Sequence, residues 1–203
     1  MIHNRDKKAD PAPWRALFVW AERLVTFALL AFVAVRLAPQ LQALTGVGPD
    51  HGQAPAISVV TLRGNTVLPT DLRGKVVVVN FWATWCHWCR WEMPSLEKLH
   101  EAHAGDDLVV IGLATDVGSA GPIRSFLSAR HITYPVARAT AAVERAFGGV
   151  TGIPTTFVLD RTGVVRYRVV GYFAPPALEA AVSRLLNEPR PAQETRHLPS
   201  ESD

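Results

Sequence analysis

The chain has 203 residues, of which 48% are apolar and 19% are charged. This length allows one domain of ordinary size with extensions, and the apolar content is sufficient for a packed core. The formal net charge of +3 is too small to indicate a nucleic-acid partner, and no basic stripe is interleaved with aromatic residues. We therefore expect a globular domain that does not bind nucleic acid.

The N-terminal segment is typical of a membrane anchor that stays uncleaved. Residues 1–16 carry four basic side chains against two acidic ones, and an apolar stretch covers residues 17–38. As a helix this stretch would be roughly 33 Å long, which is enough to span a bilayer core. Between Arg36 and Arg63 there is no Lys or Arg. The charge bias predicts a single pass through the inner membrane with the N-terminus in the cytoplasm and the remainder exported.

Two other interpretations of the same stretch remain open. Within it, residues 24–35 are free of charge, and a run of this length also suits the apolar region of a cleaved signal peptide, although no convincing cleavage site follows it. A soluble amphipathic helix is the third possibility. The first two interpretations agree that the rest of the chain is exported.

The remainder divides into a linker, a domain and a tail. Residues 39–55 are rich in Gly, Pro and Gln and predict a linker, and the polar tail 187–203 is expected to be disordered. Between them, residues 56–186 alternate between the two kinds of secondary structure. We expect strands at 57–62, 76–82, 108–115, 155–160 and 164–171, and helices at 88–104, 122–130, 140–147 and 175–186. This order predicts an α/β fold with a mixed β-sheet.

Cys86 and Cys89 are the only cysteines of the chain. A bridge across two intervening residues would constrain the unfolded chain very little, so the pair is expected to serve through its reactivity. Cys86 ends the loop after a predicted buried strand and faces the positive end of the next helix, which stabilises a thiolate. We therefore expect Cys86 to be the nucleophile and Cys89 to resolve the mixed disulfide. A zinc site would need further ligands, and no second cysteine pair is present.

Two segments resemble the TlpA/ResA-like branch of thioredoxin-fold proteins. They are residues 72–94, with the sequence LRGKVVVVNFWATWCHWCRWEMP, and residues 152–163, with the sequence GIPTTFVLDRTG. The resemblance implies a thioredoxin fold, a membrane-anchored thiol–disulfide oxidoreductase and no cofactor or bound metal. It also implies that Pro154 follows a cis peptide bond beside the nucleophilic cysteine, and that Ile153 offers backbone groups to an extended substrate.

The same resemblance implies a direction of electron transfer and the kinds of partner. Its members mostly act as reductants of protein disulfides in the periplasm, in cytochrome c maturation or general disulfide reduction. They are recharged by a membrane electron-transfer protein. An oxidase direction stays open for this chain.

A departure from thioredoxin itself concerns the proton acceptor. Thioredoxin has a buried aspartate six residues before its first cysteine, where this chain has Asn80, which cannot take a proton. The TlpA/ResA-like members use a glutamate after the second cysteine instead, and Glu92 matches it. Glu92 is therefore predicted to accept the proton of Cys89. The alternative is that Glu92 only complements the helix dipole.

The residues around the cysteines are also informative. His87 could pair with the Cys86 thiolate and make the disulfide more oxidising, or it could be a merely exposed ring. Trp85 is expected at the site, and Trp88 is expected to present an apolar surface to an extended partner. Trp91 is interpreted as ordinary packing.

A function from another class is Cu(I) handling through the two thiolates, with His87 as a further ligand. The chain lacks the extra methionines that such a protein would use, since Met1 and Met93 are the only two. A peroxidase of the peroxiredoxin type is poorly supported, because no proline and threonine precede Cys86 at the required spacing.

Overall fold

A long helix, α1 (Pro13–Thr45), begins the structure, which is a computed structural model that describes residues 13–45, 50–103 and 107–190. From Trp20 to Thr45 the helix is long and apolar enough to cross a membrane, and its most apolar window is not buried against protein. A long, mainly apolar helix that is not buried against the described part of the chain suits a lipid environment. Residues 1–12 of the expected cytoplasmic tail lie outside the described residues.

The structure differs from the linker expected over residues 39–55. The helix continues through Pro39 as far as Thr45, and the chain from Pro39 onwards forms a unit separate from residues 1–38. Ala43 is fully buried in that second unit, and Arg184 donates hydrogen bonds to the carbonyl oxygens of Ala43 and Leu44 at 3.0 and 2.8 Å. These contacts offset the backbone hydrogen bond that a proline removes from a helix.

The second unit alternates strands and helices. Its strands are β1 (Val59–Val60), β2 (Thr66–Val67), β3 (Val76–Trp82), β4 (Leu108–Ala114), β5 (Val136–Arg138), β6 (Thr155–Leu159) and β7 (Val165–Val170). Its other α-helices are α2 (His87–Ala102), α3 (Gly121–Ser128), α4 (Ala141–Ala146) and α5 (Pro175–Asn187).

The five longer strands form one mixed sheet in the order β5-β4-β3-β6-β7. Strand β3 lies at its centre, parallel to β4 and antiparallel to β6. All seven residues of β3 are buried, as an apolar strand covered on both faces requires. The predicted thioredoxin fold, a mixed sheet flanked by helices, is confirmed.

Each face of the sheet has its own core, because successive strand residues point to opposite sides. Val78 and Trp82 pack with side chains of α2, α3 and α5, whereas Val79 and Phe81 pack on the opposite face with Phe147. Asn80 shares the face of Val78 and Trp82. It is thereby directed towards α2, the helix that carries the cysteines.

Some elements differ from expectation. The strand expected at 57–62 is reduced to β1, which pairs with β2, and to an isolated antiparallel bridge between Thr61 and Ala137 of β5. Strand β5 was not predicted, because three residues at a sheet edge give no usable periodicity. Helix α5 runs to Asn187, one residue into the expected tail, and residues 191–203 lie outside the described residues.

Candidate redox site

Cys86 and Cys89 lie at the junction of β3 and α2, as the sequence predicts. They form a disulfide with a Cα–Cα distance of 5.3 Å. Cys86 is the N-cap of α2, and its sulfur accepts a hydrogen bond from the backbone N–H of Cys89 at 3.2 Å. Cys86 is 5% exposed and Cys89 1%. Of the two cysteines, Cys86 is therefore the slightly more exposed.

The loop before Cys86 is held by the neighbouring strand. The backbone N–H and the hydroxyl of Thr84 both donate to the carboxylate of Asp116, at 3.1 and 2.5 Å. Asp116 follows β4, which runs parallel to β3, so the ends of the two strands are tied together. This contact fixes the approach of the chain to the start of α2.

The peptide bond between Ile153 and Pro154 is cis, as the family resemblance implies. Pro154 is buried and directly precedes β6, and its carbonyl oxygen accepts a hydrogen bond from the N–H of Gly171 at 2.7 Å. Ile153 is half-buried and packs against the core with its side chain.

Glu92 is completely buried one turn after Cys89 on the inner face of α2. Its Oε1 accepts hydrogen bonds from the Thr156 hydroxyl at 2.6 Å and from Asn80 Nδ2 at 3.3 Å. Its Oε2 accepts a longer one from the N–H of Phe173 at 3.5 Å. Burial raises the pKa of Glu92 from 4.5 to about 7, against the lowering effect of the bonds from Thr156 and Phe173. A group with this pKa can exchange protons near neutral pH.

Sequence reasoning missed the partners of this carboxyl group. Asn80 was considered only as a residue that cannot take a proton, whereas it donates to both Glu92 and Thr156. The available signal was a polar residue inside a strand that is apolar and buried on both faces, since a buried amide needs hydrogen-bond partners. Thr156 in β6 carries the same signal.

Three tryptophans near the cysteines are exposed. Trp85 is 69% exposed, Trp88 51% and Trp91 56%. The interpretation of Trp91 as ordinary packing was wrong. Helix α2 buries the side of Cys89 and Glu92 and turns Trp91 to the outside.

His87, Trp88, Trp91 and Tyr172 form an aromatic surface. The ring centroids of Trp88 and Trp91 are 5.2 Å apart, and those of Trp88 and Tyr172 are 6.0 Å apart. The His87 ring lies 5.0 Å from that of Trp91. Over residues 13–45, 50–103 and 107–190, no hydrogen bond joins His87 to a cysteine sulfur, so its effect on the redox chemistry stays a prediction. The same residues contain no group of three or more His, Cys, Asp or Glu that could hold a metal ion.

Residues 51–168 match the AhpC/TSA family. The chain is 33% identical over 136 residues to the thioredoxin-like protein YneN of Bacillus subtilis (strain 168), which covers 66% of this chain and 79% of that protein. It is 29% identical over 133 residues to the thiol-disulfide oxidoreductase ResA of Bacillus thuringiensis (strain Al Hakam), covering 66% and 76% of the two chains.

Solved structures with a similar fold are proteins of the same kind. A thiol:disulfide interchange protein of the thioredoxin family from Chlorobium tepidum TLS superposes with a TM-score of 0.63 at 33% identity, over 69% of this chain and 99% of that one. Together with the apolar helix α1, these similarities indicate a membrane-anchored domain outside the cytoplasm that exchanges disulfides with protein substrates. The chain belongs to the AhpC/TSA family and is a thiol–disulfide oxidoreductase of thioredoxin fold.

Proposed function

We propose that the protein is a reductant of protein disulfides, acting in cytochrome c maturation or in general disulfide reduction. The observation that carries this proposal is the buried carboxyl group of Glu92, with its pKa near 7, one turn from Cys89. A reductant must deprotonate its second cysteine in every turnover. A buried acceptor beside that cysteine serves this step.

The reaction begins with the reduced dithiol. The Cys86 thiolate attacks one sulfur of the client disulfide, forms a mixed disulfide and releases the other client sulfur as a thiolate, which takes up a proton from solvent. The N-terminus of α2 stabilises the attacking thiolate through the backbone N–H of Cys89 and the helix dipole.

The second step releases the client. Cys89 gives its proton to the Glu92 carboxylate, and its thiolate attacks the sulfur of Cys86. The bond between Cys86 and the client breaks, and the client leaves as a second thiolate. Two electrons have then passed from the dithiol to the client, and Cys86 and Cys89 are joined.

Client binding is assigned to the surroundings of Cys86. The backbone groups of Ile153, before the cis bond to Pro154, pair with an extended client segment, since none of the hydrogen bonds among the described residues uses them. The exposed rings of Trp85 and Trp88 supply apolar contact area next to it. His87 tunes the redox equilibrium when its ring is protonated.

Helix α1 and the charge bias around it support a proposal for the cellular arrangement. We place the protein in the inner membrane as a single-pass protein with its N-terminus inside and the redox domain in the periplasm. Each turnover oxidises the dithiol, so a donor must supply two electrons, and we assign this step to a membrane electron-transfer protein of the thiol–disulfide type.

Two cysteine variants test the mechanism. Cys86→Ser should abolish the reduction of insulin disulfides, and Cys89→Ser should accumulate mixed disulfides with native clients, which mass spectrometry can identify. Full turnover by Cys89→Ser would contradict the two-cysteine mechanism.

The direction of disulfide exchange is tested by measuring the reduction potential of the Cys86–Cys89 pair against a glutathione buffer. A reductant should lie near thioredoxin, at about −270 mV. A value near about −120 mV, as in strongly oxidising relatives of the fold, would identify a disulfide-forming oxidase instead.

A further inference from the structure

The membrane-proximal segment, residues 39–45 of α1, reaches the loop between β7 and α5. The side-chain amide of Gln40 uses both of its ends there. Its Nε2 donates to the carbonyl oxygen of Tyr172 at 2.7 Å, and its Oε1 accepts from the N–H of Ala174 at 3.2 Å. One glutamine thus holds the backbone on either side of Phe173.

The same loop contacts the redox site twice. The N–H of Phe173 donates to Oε2 of Glu92, and the Tyr172 ring lies beside Trp88 of the aromatic surface. The carbonyl of Tyr172 and the N–H of Phe173 belong to one peptide group, which is planar. Gln40 therefore binds one end of the peptide group whose other end points at Glu92.

A second contact fixes the segment that carries Gln40. Arg184 of α5 donates to the carbonyl oxygens of Ala43 and Leu44, and the side chain of Ala43 is fully buried. The last turn of α1 is therefore tied to α5 independently of Gln40. The backbone that carries Gln40 is therefore held in place, so that its side chain can orient the loop between β7 and α5.

We propose that Gln40 is a positioning residue, which aims the N–H of the Tyr172–Phe173 peptide group at Glu92 and so connects the membrane-proximal segment to the redox site. Hydrogen bonds in series through one peptide group polarise each other, so the donor to Glu92 is also strengthened by the bond from Gln40. The importance of this contact for catalysis rests on the proposed role of Glu92.

Few other groups lie around Glu92 through which a substitution of Gln40 could change its titration. The sheet presents Asn80 and Thr156 to it, and the phenol of Tyr134 interacts with it electrostatically. On α2, Cys89 is in the disulfide one turn before Glu92, and the buried Glu97, five residues after it, accepts from the N–H of Thr133. The buried residues of helix α5 are apolar and include Ala177, Leu178 and Ala181. Of the groups around Glu92, only the N–H of Phe173 is held by Gln40.

The test compares two Gln40 variants of the full-length oxidised protein in lipid nanodiscs. Gln40→Met keeps the length of the side chain without its hydrogen bonds, and Gln40→Ala removes both. The side-chain carboxyl of Glu92 is titrated by carbon NMR, with Glu92→Gln as the assignment control, and the exchange of the Phe173 amide proton is followed in the same samples. Gln42→Ala, a change of the half-buried glutamine two residues further along the helix, is the matched control.

In both Gln40 variants the titration midpoint of Glu92 should rise by about half a pH unit, because a donor to its charged form is weakened. Exchange at Phe173 should accelerate about threefold or more. An unchanged midpoint in both variants would overturn the proposal, and so would an equal shift in Gln42→Ala. The readouts do not depend on thiol exchange. A shifted titration with an unchanged pH profile of insulin reduction would leave the positioning role intact and remove Glu92 from the proposed mechanism.

Discussion

The hydroxyl of Thr156 donates to Oε1 of Glu92 over 2.6 Å and at the same time accepts from the amide of Asn80 at 2.9 Å. This arrangement exists because the pairing of β3 with β6 places Asn80 opposite Thr156. A carboxyl group in an otherwise apolar core thereby receives a donor that favours its charged form. The pKa of Glu92 is set by the competition between that donor and burial.

Thr156→Val should raise the pKa of Glu92 further, because valine keeps the shape of threonine and removes the donor. We expect the midpoint of the pH profile for the Cys89-dependent step to rise by about one pH unit, as for the loss of a hydrogen bond to a charged group. Single-turnover reduction of insulin between pH 5 and 9 measures it. Thr156→Ser retains the hydroxyl and should restore the original midpoint, and an unmoved midpoint in Thr156→Val would contradict this account.

The raised pKa of Glu92 also predicts how stability depends on pH. Between about pH 4.5 and 7 the folded protein keeps a proton that the unfolded chain releases, so the free energy of unfolding should fall as pH rises through this window. The total loss is at most roughly 3 kcal/mol. Urea unfolding of the oxidised protein in detergent, followed by tryptophan fluorescence, measures it.

Glu92→Gln is the control for that measurement, because the amide keeps the size of the side chain and does not titrate. The difference in stability between wild type and Glu92→Gln should shift in favour of the variant as pH rises from about 4.5 to 7, and should then stay constant. A difference that is independent of pH would show that Glu92 titrates normally. Asp160 does not interfere. Burial acts to raise its pKa, but the hydrogen bonds that Thr162, Val164 and Arg166 donate to its carboxylate hold the pKa below its ordinary value, away from this window.

Trp88→Ala should weaken the binding of protein clients without damaging the chemistry. Tryptophan is enriched among the interface residues whose truncation costs more than about 1 kcal/mol of binding, so we expect KM for insulin to rise about fivefold or more. The rate with a small aromatic disulfide and the thermal stability should remain close to wild type. Val60→Ala removes a similarly exposed apolar side chain on the β1–β2 hairpin and should leave kcat and KM for insulin unchanged. A rise in KM similar to that of Trp88→Ala would argue against a specific client-binding surface.

Gly112→Ala should destabilise the fold, because this glycine of β4 lies under two large side chains. A β-carbon there would be 3.0 Å from Trp82 Nε1 and 3.0 Å from Tyr134 Cε2, both in the buried core. Such overpacking costs about 1–3 kcal/mol of unfolding free energy. Gly121→Ala, whose β-carbon would have only Ser119 Oγ nearby at 3.9 Å, should change stability by less than about 0.5 kcal/mol. Equal effects in denaturant titrations would refute the packing argument.

The central strand and the cysteine pair could be predicted because their signals are local. Strand β3 has the predicted limits, since a run of apolar residues buried on both faces is bounded sharply by the turn before it and the loop after it. The position of Cys86 at the start of α2 followed from that strand and the helical pattern behind it. The cis bond before Pro154 came from the family resemblance, because an X–Pro sequence by itself favours the trans form.

Other features depend on contacts between distant parts of the chain. The composition of residues 39–45 predicts a linker and not a helix, because the stabilising partner of this segment, Arg184, lies far away in the sequence. The sequence does not reveal the exposure of Trp91, because three-residue spacing does not show which side of α2 faces the core. The contact of Thr156 with Glu92 requires the pairing of β3 with β6, and no local pattern in the sequence specifies that alignment.

The pairing of Asn80 with Thr156 has a consequence for how the sheet assembles. If β6 slipped by one residue along β3 so that Phe157 lay opposite Asn80, every β6 side chain would turn to the opposite face. Glu92 and Asn80 would then lose the hydroxyl that joins them, and only the longer bond of 3.3 Å from Asn80 Nδ2 to Glu92 Oε1 would remain between the two, at a cost in hydrogen-bond energy. The groups that hold the carboxyl group in place thus also favour the native alignment of β6 with β3. A misaligned sheet would be less stable while the chain is still folding.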